Sequence, residues 1–537
     1  MINRITRWSL MAAALPFAHP AQAAATDAAS STADTATAAT ADTAAAVSAT
    51  PIDAGQPANV PAHGATITFG HFTATHNPAE LAVSSYPSEA AGDGNATNGY
   101  NLSRWAEDWS KMCDARNRRD LVDRLKCIPF NSRHSIYLTL SGEIRERVNL
   151  TTNPGLLNAE GQRQEMLRLV GGADLHVGPY LRFYGEVAHG GLGGINLGSV
   201  TGTQKNDAIW LQGFAEAHDT IGGVYVGVRY GRQEFTDGPN LMVSQRDNNN
   251  IRQVENGLRL WARGRTLRAD LFDLHMTAYG IDGTGDDLFD NTRRFSGMTL
   301  GWVVPRSLLG GSKLYLDPFL WRYRNTLSTW GPNKGNEMRT YAGAHFWGEA
   351  GRATIDWTVN HQGGDYEGRA IDAWQLFLAQ SFRLGEKPSA PRIGFHADYA
   401  TGGGAYGSGK LKDAFSPFGN NIYYSYGLFL TPTNMRVLSP NITFQPLRKL
   451  RITGEYEWVW RNNAQDAVYR SNGTPYAGTQ KVGGHEVGRV MRAQATLSIT
   501  PRLSFTGRAE EMYAGDVLRR AGYANSTFLA GWLSYRF

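Results

Sequence analysis

The chain has 537 residues and a formal net charge of +5, and only 19% of its residues are charged. This modest charge gives no indication of a nucleic-acid partner, and we expect none. The 61 glycines, 14 tryptophans, 23 tyrosines and 22 phenylalanines are typical of strands and turns. Beyond the amino terminus, no apolar run approaches the ~20 residues that a membrane helix requires. Any membrane crossing must therefore use β-strands.

The amino terminus has the pattern of a secretory signal. Arg4 and Arg7 supply its positive charge, Trp8–Phe17 is a short apolar segment, and Ala21-Gln22-Ala23 fits the small-residue cleavage rule. We therefore predict that residues 1–23 are a signal peptide, that it is cleaved, and that the protein is exported.

Two segments separate this signal from the strand-rich region. Residues 24–102 begin with a stretch of Ala, Thr, Ser and Asp that has too few large apolar groups to offset the entropy of ordering, which predicts a disordered, low-complexity periplasmic segment. Residues 103–134 contain short helical patterns and form either a small periplasmic plug or a linker. Within them, Cys113 and Cys127 predict a structural disulfide, because an exported protein favours pairing. A metal or redox pair would need further Cys or nearby His at suitable spacing.

Residues 135–537 contain eighteen strand-like segments. Alternation is clearest in the last one, 527–537, which ends on an aromatic carboxyl-terminal residue. Tight turns alternate with longer loops, among them 231–256, 325–338 and 363–371. An even strand number with short turns on one side and long loops on the other predicts an all-β fold, an antiparallel transmembrane barrel of about 18 strands. A barrel of this width leaves an aqueous lumen.

Charged side chains share one face of many strands, and lipid would penalise them, so we expect this face to line the lumen. Two interpretations remain open: Arg–Glu ladders that only stabilise the wall, or an Arg-rich path for anions. The densest set surrounds the loop after the fifth strand, where Arg, Asn and Gln together suit the carboxylate and hydroxyl groups of an acidic sugar. The predicted pore-lining residues are Arg145, Arg147, Arg229, Arg232, Gln233, Arg246, Asn250, Arg252, Arg259, Arg263 and Arg451.

Several short motifs in this order resemble the alginate-export family of outer-membrane porins, from about Asp120 to the end of the chain. The resemblance implies an eighteen-stranded monomeric barrel with an Arg-lined constriction that passes an anionic polysaccharide. It carries over Arg232, Asn250 and Arg252 and, less closely, Arg145 and Arg259. The segment before the barrel departs from the family pattern. The motifs are Asp123-Arg-Leu-Lys-Cys-Ile-Pro129, Leu138-Thr-Leu-Ser-Gly-Glu-Ile-Arg-Glu-Arg147, Tyr230-Gly-Arg-Gln233, Asn250-Ile-Arg252, Gly257–Trp261, Asp398-Tyr-Ala-Thr-Gly402 and Asp466-Ala-Val-Tyr469.

The predicted function is therefore a channel in the outer membrane of a Gram-negative bacterium for an anionic polysaccharide or oligosaccharide, such as an alginate-like polyuronate. The alternatives are a general or small-anion porin and a purely structural barrel. No Gly-x-Ser-x-Gly or His-Glu-x-x-His motif is present, so we expect no enzyme, metal or cofactor. The expected partners are outer-membrane lipid and lipopolysaccharide, the polysaccharide, and a periplasmic export protein. The direction of transport stays open.

Overall fold

The computed structural model describes residues 96–97 and 100–537, apart from residues 238, 240, 309–311 and 388 and the side chains of residues 96, 97 and 421. The predicted signal peptide and nearly all of the predicted low-complexity segment lie outside the described residues. Within the described residues, no helix is both long and apolar enough to cross a membrane.

Eighteen antiparallel strands form a closed barrel, which confirms the predicted fold. The last strand pairs with the first, with Leu529 opposite Leu150 and Arg536 opposite Glu143. The carboxyl-terminal strand therefore removes the free edge of the sheet. The strands are β1 (Ile136–Thr151), β2 (Gln162–Val177), β3 (Leu181–Ile195), β4 (Asn206–Ile221), β5 (Val224–Gln233), β6 (Glu255–Arg263), β7 (Leu267–Ala278), β8 (Leu288–Val303), β9 (Lys313–Trp330), β10 (Asn333–Ala350), β11 (Ala353–Tyr366), β12 (Arg369–Arg383), β13 (Arg392–Ala400), β14 (Met435–Leu447), β15 (Leu450–Trp460), β16 (Glu486–Ser498), β17 (Leu503–Ala514) and β18 (Ser526–Arg536).

Alternation along the strands separates an apolar outer face from a polar inner face. In β1, Ile144 and Val148 are 47% and 38% exposed, whereas Arg145 and Arg147 are 3% and 2% exposed. The outer face can be apolar because lipid surrounds it, and the charged face must then point inward. We call the end with the tight turns, such as 222–223 between β4 and β5, the short-turn end, and the opposite end the long-loop end.

Two predicted loops are wrong. Residues 325–338 and 363–371 belong mostly to long strands, and only two residues separate β9 from β10 and β11 from β12. The backbone ladder continues to Trp330 opposite Asn333 and to Tyr366 opposite Arg369. Strand pairing is made by backbone groups, so it extends beyond the apolar zone into polar sequence that composition alone assigns to loops.

The core of the protein lies inside the barrel. Residues of the loop between β5 and β6 (234–254) and of the loop between β13 and β14 (401–434) pack against aromatic side chains of the inner wall. The ring centroids of Phe418, in the second loop, and Phe295, on β8, are 5.0 Å apart. Burying an aromatic side chain of this kind stabilises the fold by about 1.5–3 kcal/mol. Inward folding of the long loops therefore contributes to stability.

The segment before the barrel contains four single turns of 3₁₀-helix, at Arg104–Ala106, Ser110–Cys113, Ala115–Asn117 and Val122–Leu125. Ser103 precedes the first turn, but its side chain makes no capping hydrogen bond. Ile128–Pro129 then pairs with Tyr137 and Leu138 of β1, which connects the segment to the barrel wall.

Candidate functional site

The 234–254 loop crosses the lumen and meets the 401–434 loop there. Val243 and Phe418 form a parallel β-bridge, and the Ser244 amide donates to the Phe418 carbonyl at 2.9 Å. The Arg246 guanidinium donates to the Pro417 carbonyl at 2.8 Å. The two loops therefore form one connected obstruction inside the barrel.

Asp247, in the first loop, lies among three arginines. Its Oδ1 is 2.7 Å from Arg168 Nη1 and 2.6 Å from Arg252 Nε, and its Oδ2 is 3.6 Å from Arg145 Nη1. Burial by itself raises the pKa of Asp247, but Arg252, Arg168 and Arg145 outweigh it and hold that pKa below its usual range. The carboxylate therefore stays charged, as a counter-ion for the three cations.

Backbone carbonyls of residues 247–250 satisfy the remaining donors. Arg145 donates to the Asp247 and Asn249 carbonyls at 3.0 and 2.9 Å, and Arg168 Nε donates to the Asn250 carbonyl at 2.8 Å. Arg147 donates to the Asn248 carbonyl at 3.0 Å and to its side-chain oxygen at 2.7 Å. Arg147 makes no ion pair with a described carboxylate. We call Arg145, Arg147, Arg168 and Arg252 the arginine cluster.

The segment before the barrel enters the lumen from the short-turn end. Arg104 Nε is 2.7 Å from Glu186 Oε2, and its Nη1 is 2.8 Å from Glu143 Oε2, with all three side chains buried. Arg252 of the cluster donates to the Leu102 carbonyl at 2.7 Å. The segment therefore contacts both the wall and the loop obstruction, which is the arrangement of a plug.

Outside the lumen, the same segment is attached to the turn between β16 and β17. Arg502, in that turn, lies 2.6 Å from Asp123 Oδ1 and donates to the Tyr100 hydroxyl at 2.8 Å. It also pairs with Asp120, and this hydrogen-bonded pair lowers the pKa of Asp120 to about 2. Cys113 and Cys127 form a disulfide that closes the segment into a loop.

A cavity of about 450 Å³ opens beside Trp105 at the short-turn end. Three predicted site arginines line it, and each lies close to a carboxylate. Arg229 is 2.6 Å from Glu216, and Arg259 and Arg263 are 3.0 and 2.8 Å from Asp270. This part of the wall therefore agrees with the interpretation in which Arg–carboxylate ladders stabilise the wall.

Arg232 does not point into the lumen, and its predicted place in the pore is corrected here. It shares the outer face of β5 with Tyr230, which is 65% exposed, and it pairs with Asn256 on β6. Its guanidinium donates to Asn256 Oδ1 at 2.9 Å and to the Trp210 and Asp287 carbonyls at 3.0 Å each. Since Arg229 points inward and β5 continues to Gln233, position 232 must point outward.

The other predicted site residues point inward but are separated. Gln233 donates to the Gly257 carbonyl at 3.1 Å, and the side-chain amide of Asn250 donates to the carbonyls of Leu167, Gly191 and Gln204. Arg451 lies on the inner face of β15 opposite Thr496, beside the short-turn end. The predicted set omitted Arg168 and Asp247. Met166 and Val170 lie on the same face of β2 as Arg168. Because both are apolar, alternation does not identify Arg168 as an inward residue.

A pair of buried carboxyl groups joins the 401–434 loop to the loop between β15 and β16 (461–485). The Tyr469 hydroxyl lies 3.2 Å from Asp413 Oδ1 and 2.8 Å from Asp466 Oδ1. Burial and the neighbouring Asp466 raise the pKa of Asp413 well above its usual range. On the backbone side, Arg339 donates to the Asp413 carbonyl at 2.7 Å. Asp413 therefore keeps its proton to a higher pH in the folded protein than in the unfolded chain.

We expect Asp413→Asn to stabilise the contact between these loops at pH 8 by on the order of 1 kcal/mol. The folded state holds a proton on Asp413 that the unfolded chain loses above pH ~4, so wild-type stability falls as the pH rises from there through the raised pKa. The variant keeps the hydrogen bonds without the charge. Thermal unfolding at pH 5 and pH 8 should show a smaller decline for Asp413→Asn than for wild type or the exposed control Glu160→Gln. Equal declines in all three proteins would contradict the role given to Asp413.

A closed barrel with an apolar outer belt, a polar interior and inward-folded loops defines the class of outer-membrane channels. The family model described as Alginate export matches residues 136–531, and the chain belongs to this family. This match confirms the predicted resemblance to the alginate-export family. The protein is an outer-membrane channel and not an enzyme. The short turns of such barrels face the periplasm, so the short-turn end is the periplasmic end.

The solved structures to which the chain is similar have low sequence identity. OccAB1 from Acinetobacter baumannii is 11% identical over 77% of this chain and 99% of its own, with a TM-score of 0.51. OccK2 from Pseudomonas aeruginosa in complex with glucuronate is 10% identical over 74% and 98%, with a TM-score of 0.48. OprD from the same organism is 9% identical over 76% and 95%, also at 0.48. No curated protein sequence matches the chain.

Proposed function

We propose that this channel passes an anionic polysaccharide or oligosaccharide of the alginate-like polyuronate type, and that residues 247–250 occupy the place of the ligand when no ligand is bound. The position of Asp247 carries the proposal. A carboxylate surrounded by Arg145, Arg168 and Arg252 is the contact that a uronate carboxylate would make with the same side chains.

The loop also reproduces the neutral part of such a ligand. Arg145, Arg147 and Arg168 donate hydrogen bonds to carbonyl and amide oxygens of residues 247–250. The hydroxyl and ring oxygens of a sugar are acceptors of the same kind. Displacing the loop without a ligand would leave the buried Arg145 without its ion pair and Arg168 with only Glu143, 3.5 Å away, which costs several kcal/mol. An entering uronate chain would remove that cost, so its binding would be coupled to displacement of the loop.

A porin for small anions or neutral carbohydrates is the second candidate. The periplasmic cavity favours it, because Arg229, Arg259 and Arg263 are already neutralised by Glu216 and Asp270. A channel whose arginines only stabilise the wall would discriminate weakly between a uronate and a neutral sugar of the same length. Cleavage of the signal peptide after Ala23, a monomeric state and a periplasmic partner stay predictions.

Planar-bilayer recording tests the proposal. We expect a uronate oligomer to block the ion current of the wild-type channel, and a neutral oligosaccharide of equal length to block it at least tenfold less strongly. The Arg145→Ala/Arg147→Ala variant should lose most of the uronate block, since it lacks two members of the arginine cluster. Arg232→Ala is the matched control, because this arginine lies on the outer face. Equal block by both oligomers, or loss of block only in the control, would favour the second candidate.

A further inference from the structure

The outer face of β8 and β9 changes abruptly from apolar to basic. Met298 and Leu320 lie opposite each other in the apolar belt and are 38% and 46% exposed. Toward the long-loop end, the next outward pair is Ser296 with Arg322, and the pair after that is Arg294 with Arg324. All three arginines are exposed. We call Arg294, Arg322 and Arg324 the outer arginine patch.

The carboxylates near the outer arginine patch do not neutralise its positive charge. Arg294 donates to Asp273 on β7 at 2.6 Å, and His275 lies opposite Arg294 on the same side. No described carboxylate forms an ion pair with Arg322 or Arg324. Like charges directly opposite each other on neighbouring strands destabilise a sheet. A bound anion that bridges the guanidinium groups would convert this repulsion into attraction.

The position of the patch identifies the anion. An arginine facing lipid costs about 2–4 kcal/mol at mid-depth and little near the interface. Arginines that begin directly above Met298 and Leu320 therefore mark the interface of the external leaflet. This leaflet of an outer membrane contains lipopolysaccharide, whose lipid A carries phosphate groups above its acyl chains. Guanidinium groups bind phosphate through two-pronged, charge-assisted hydrogen bonds.

We propose that the outer arginine patch binds the phosphate groups of lipid A, whose acyl chains lie along Met298 and Leu320. The site requires only the outer-membrane location and not the uronate path, so the two proposals can fail separately. Elsewhere on the barrel, the exposed Arg163 on β2 is paired with Glu165. It provides a matched control, since its charge is already neutralised on the same strand.

Native mass spectrometry of the folded barrel, freed of lipopolysaccharide in detergent, tests the site. Diphosphoryl lipid A should bind at least tenfold more weakly to Arg322→Ala/Arg324→Ala than to wild type and Arg163→Ala. Monophosphoryl lipid A should bind wild type more weakly than the diphosphoryl form. Heat-modifiable migration establishes folding, and Arg322→Gln/Arg324→Gln repeats the test with longer polar side chains.

Three results would overturn the proposal. One is equal lipid A binding by the double variant and wild type. Another is phosphatidylglycerol binding the patch as tightly as diphosphoryl lipid A, since any anionic lipid would then suffice. The third is competition by millimolar inorganic phosphate that abolishes lipid A binding, because the patch would then be a site for free phosphate.

Discussion

Arg104→Ala is expected to open the periplasmic end of the lumen. The substitution removes the contacts of 2.7 and 2.8 Å with Glu186 and Glu143. Glu143 keeps longer contacts with Arg168 and Arg252, at 3.5 and 3.9 Å, whereas Glu186 loses its ion pair. Breaking a buried pair by removing one partner costs about 3–5 kcal/mol. A cost of that size would raise the population of unplugged channels by about a hundredfold or more.

Single-channel conductance and limited proteolysis measure this effect. The Arg104→Ala channel should conduct for a larger fraction of the time than wild type, and protease should cleave within residues 100–126 sooner. Arg116→Ala is the control within the same segment, because the Arg116 side chain is 89% exposed and, in the part of the chain that the structure describes, forms an ion pair only with its neighbour Asp114. Identical conductance and cleavage in the two variants would show that Arg104 does not hold the plug.

Asp247→Asn is expected to strengthen the response to uronates. The amide keeps the shape of the side chain but removes the charge that pairs with Arg145 and Arg168 of the wall and with Arg252 of the loop. Arg168 and Arg252 keep Glu143 and Glu234 as partners. The loop then loses on the order of 3–5 kcal/mol of its attachment to the wall, and an anionic ligand competes with it more easily. Block by a uronate oligomer should therefore require at least tenfold less ligand than in wild type.

The control for this variant is Asn249→Ala in the same loop, since neither amide atom of Asn249 has a hydrogen-bond partner among the described residues. Its block should match that of wild type. If Asp247→Asn instead required more uronate for block, Asp247 would contribute to ligand binding rather than compete with the ligand. The proposal that residues 247–250 occupy the place of the ligand would then be wrong.

The sequence predicts the barrel well because lipid imposes a simple rule on it. Every outward position must tolerate hydrocarbon, so alternation identifies the face of Arg145 and Arg147 correctly from β1 alone. The same rule fails at strand ends. The sequence predicts that Arg232 lies in a loop and lines the pore, but β5 extends to Gln233, and alternation from Arg229 then turns the side chain outward.

The contents of the lumen were beyond sequence reasoning for a different reason. The contacts of Arg104 with Glu143 and Glu186 join residues 39 and 82 positions apart, and no periodicity in residues 103–134 reports them. Arg168 and Asp247 likewise meet only because the loop folds inward. Such contacts are set by tertiary packing and by the pairing of buried charges, which local patterns do not encode.

Thiol labelling of an Asn249→Cys variant tests most directly whether the loop leaves the arginine cluster when a uronate binds. Asn249 is 1% exposed, and both native cysteines are in the disulfide, so the introduced thiol is the one that reacts. We predict slow labelling in the absence of ligand, clear acceleration by a uronate oligomer, and no acceleration by a neutral oligosaccharide of equal length. Labelling that stays unchanged when the uronate oligomer blocks the channel would contradict the account.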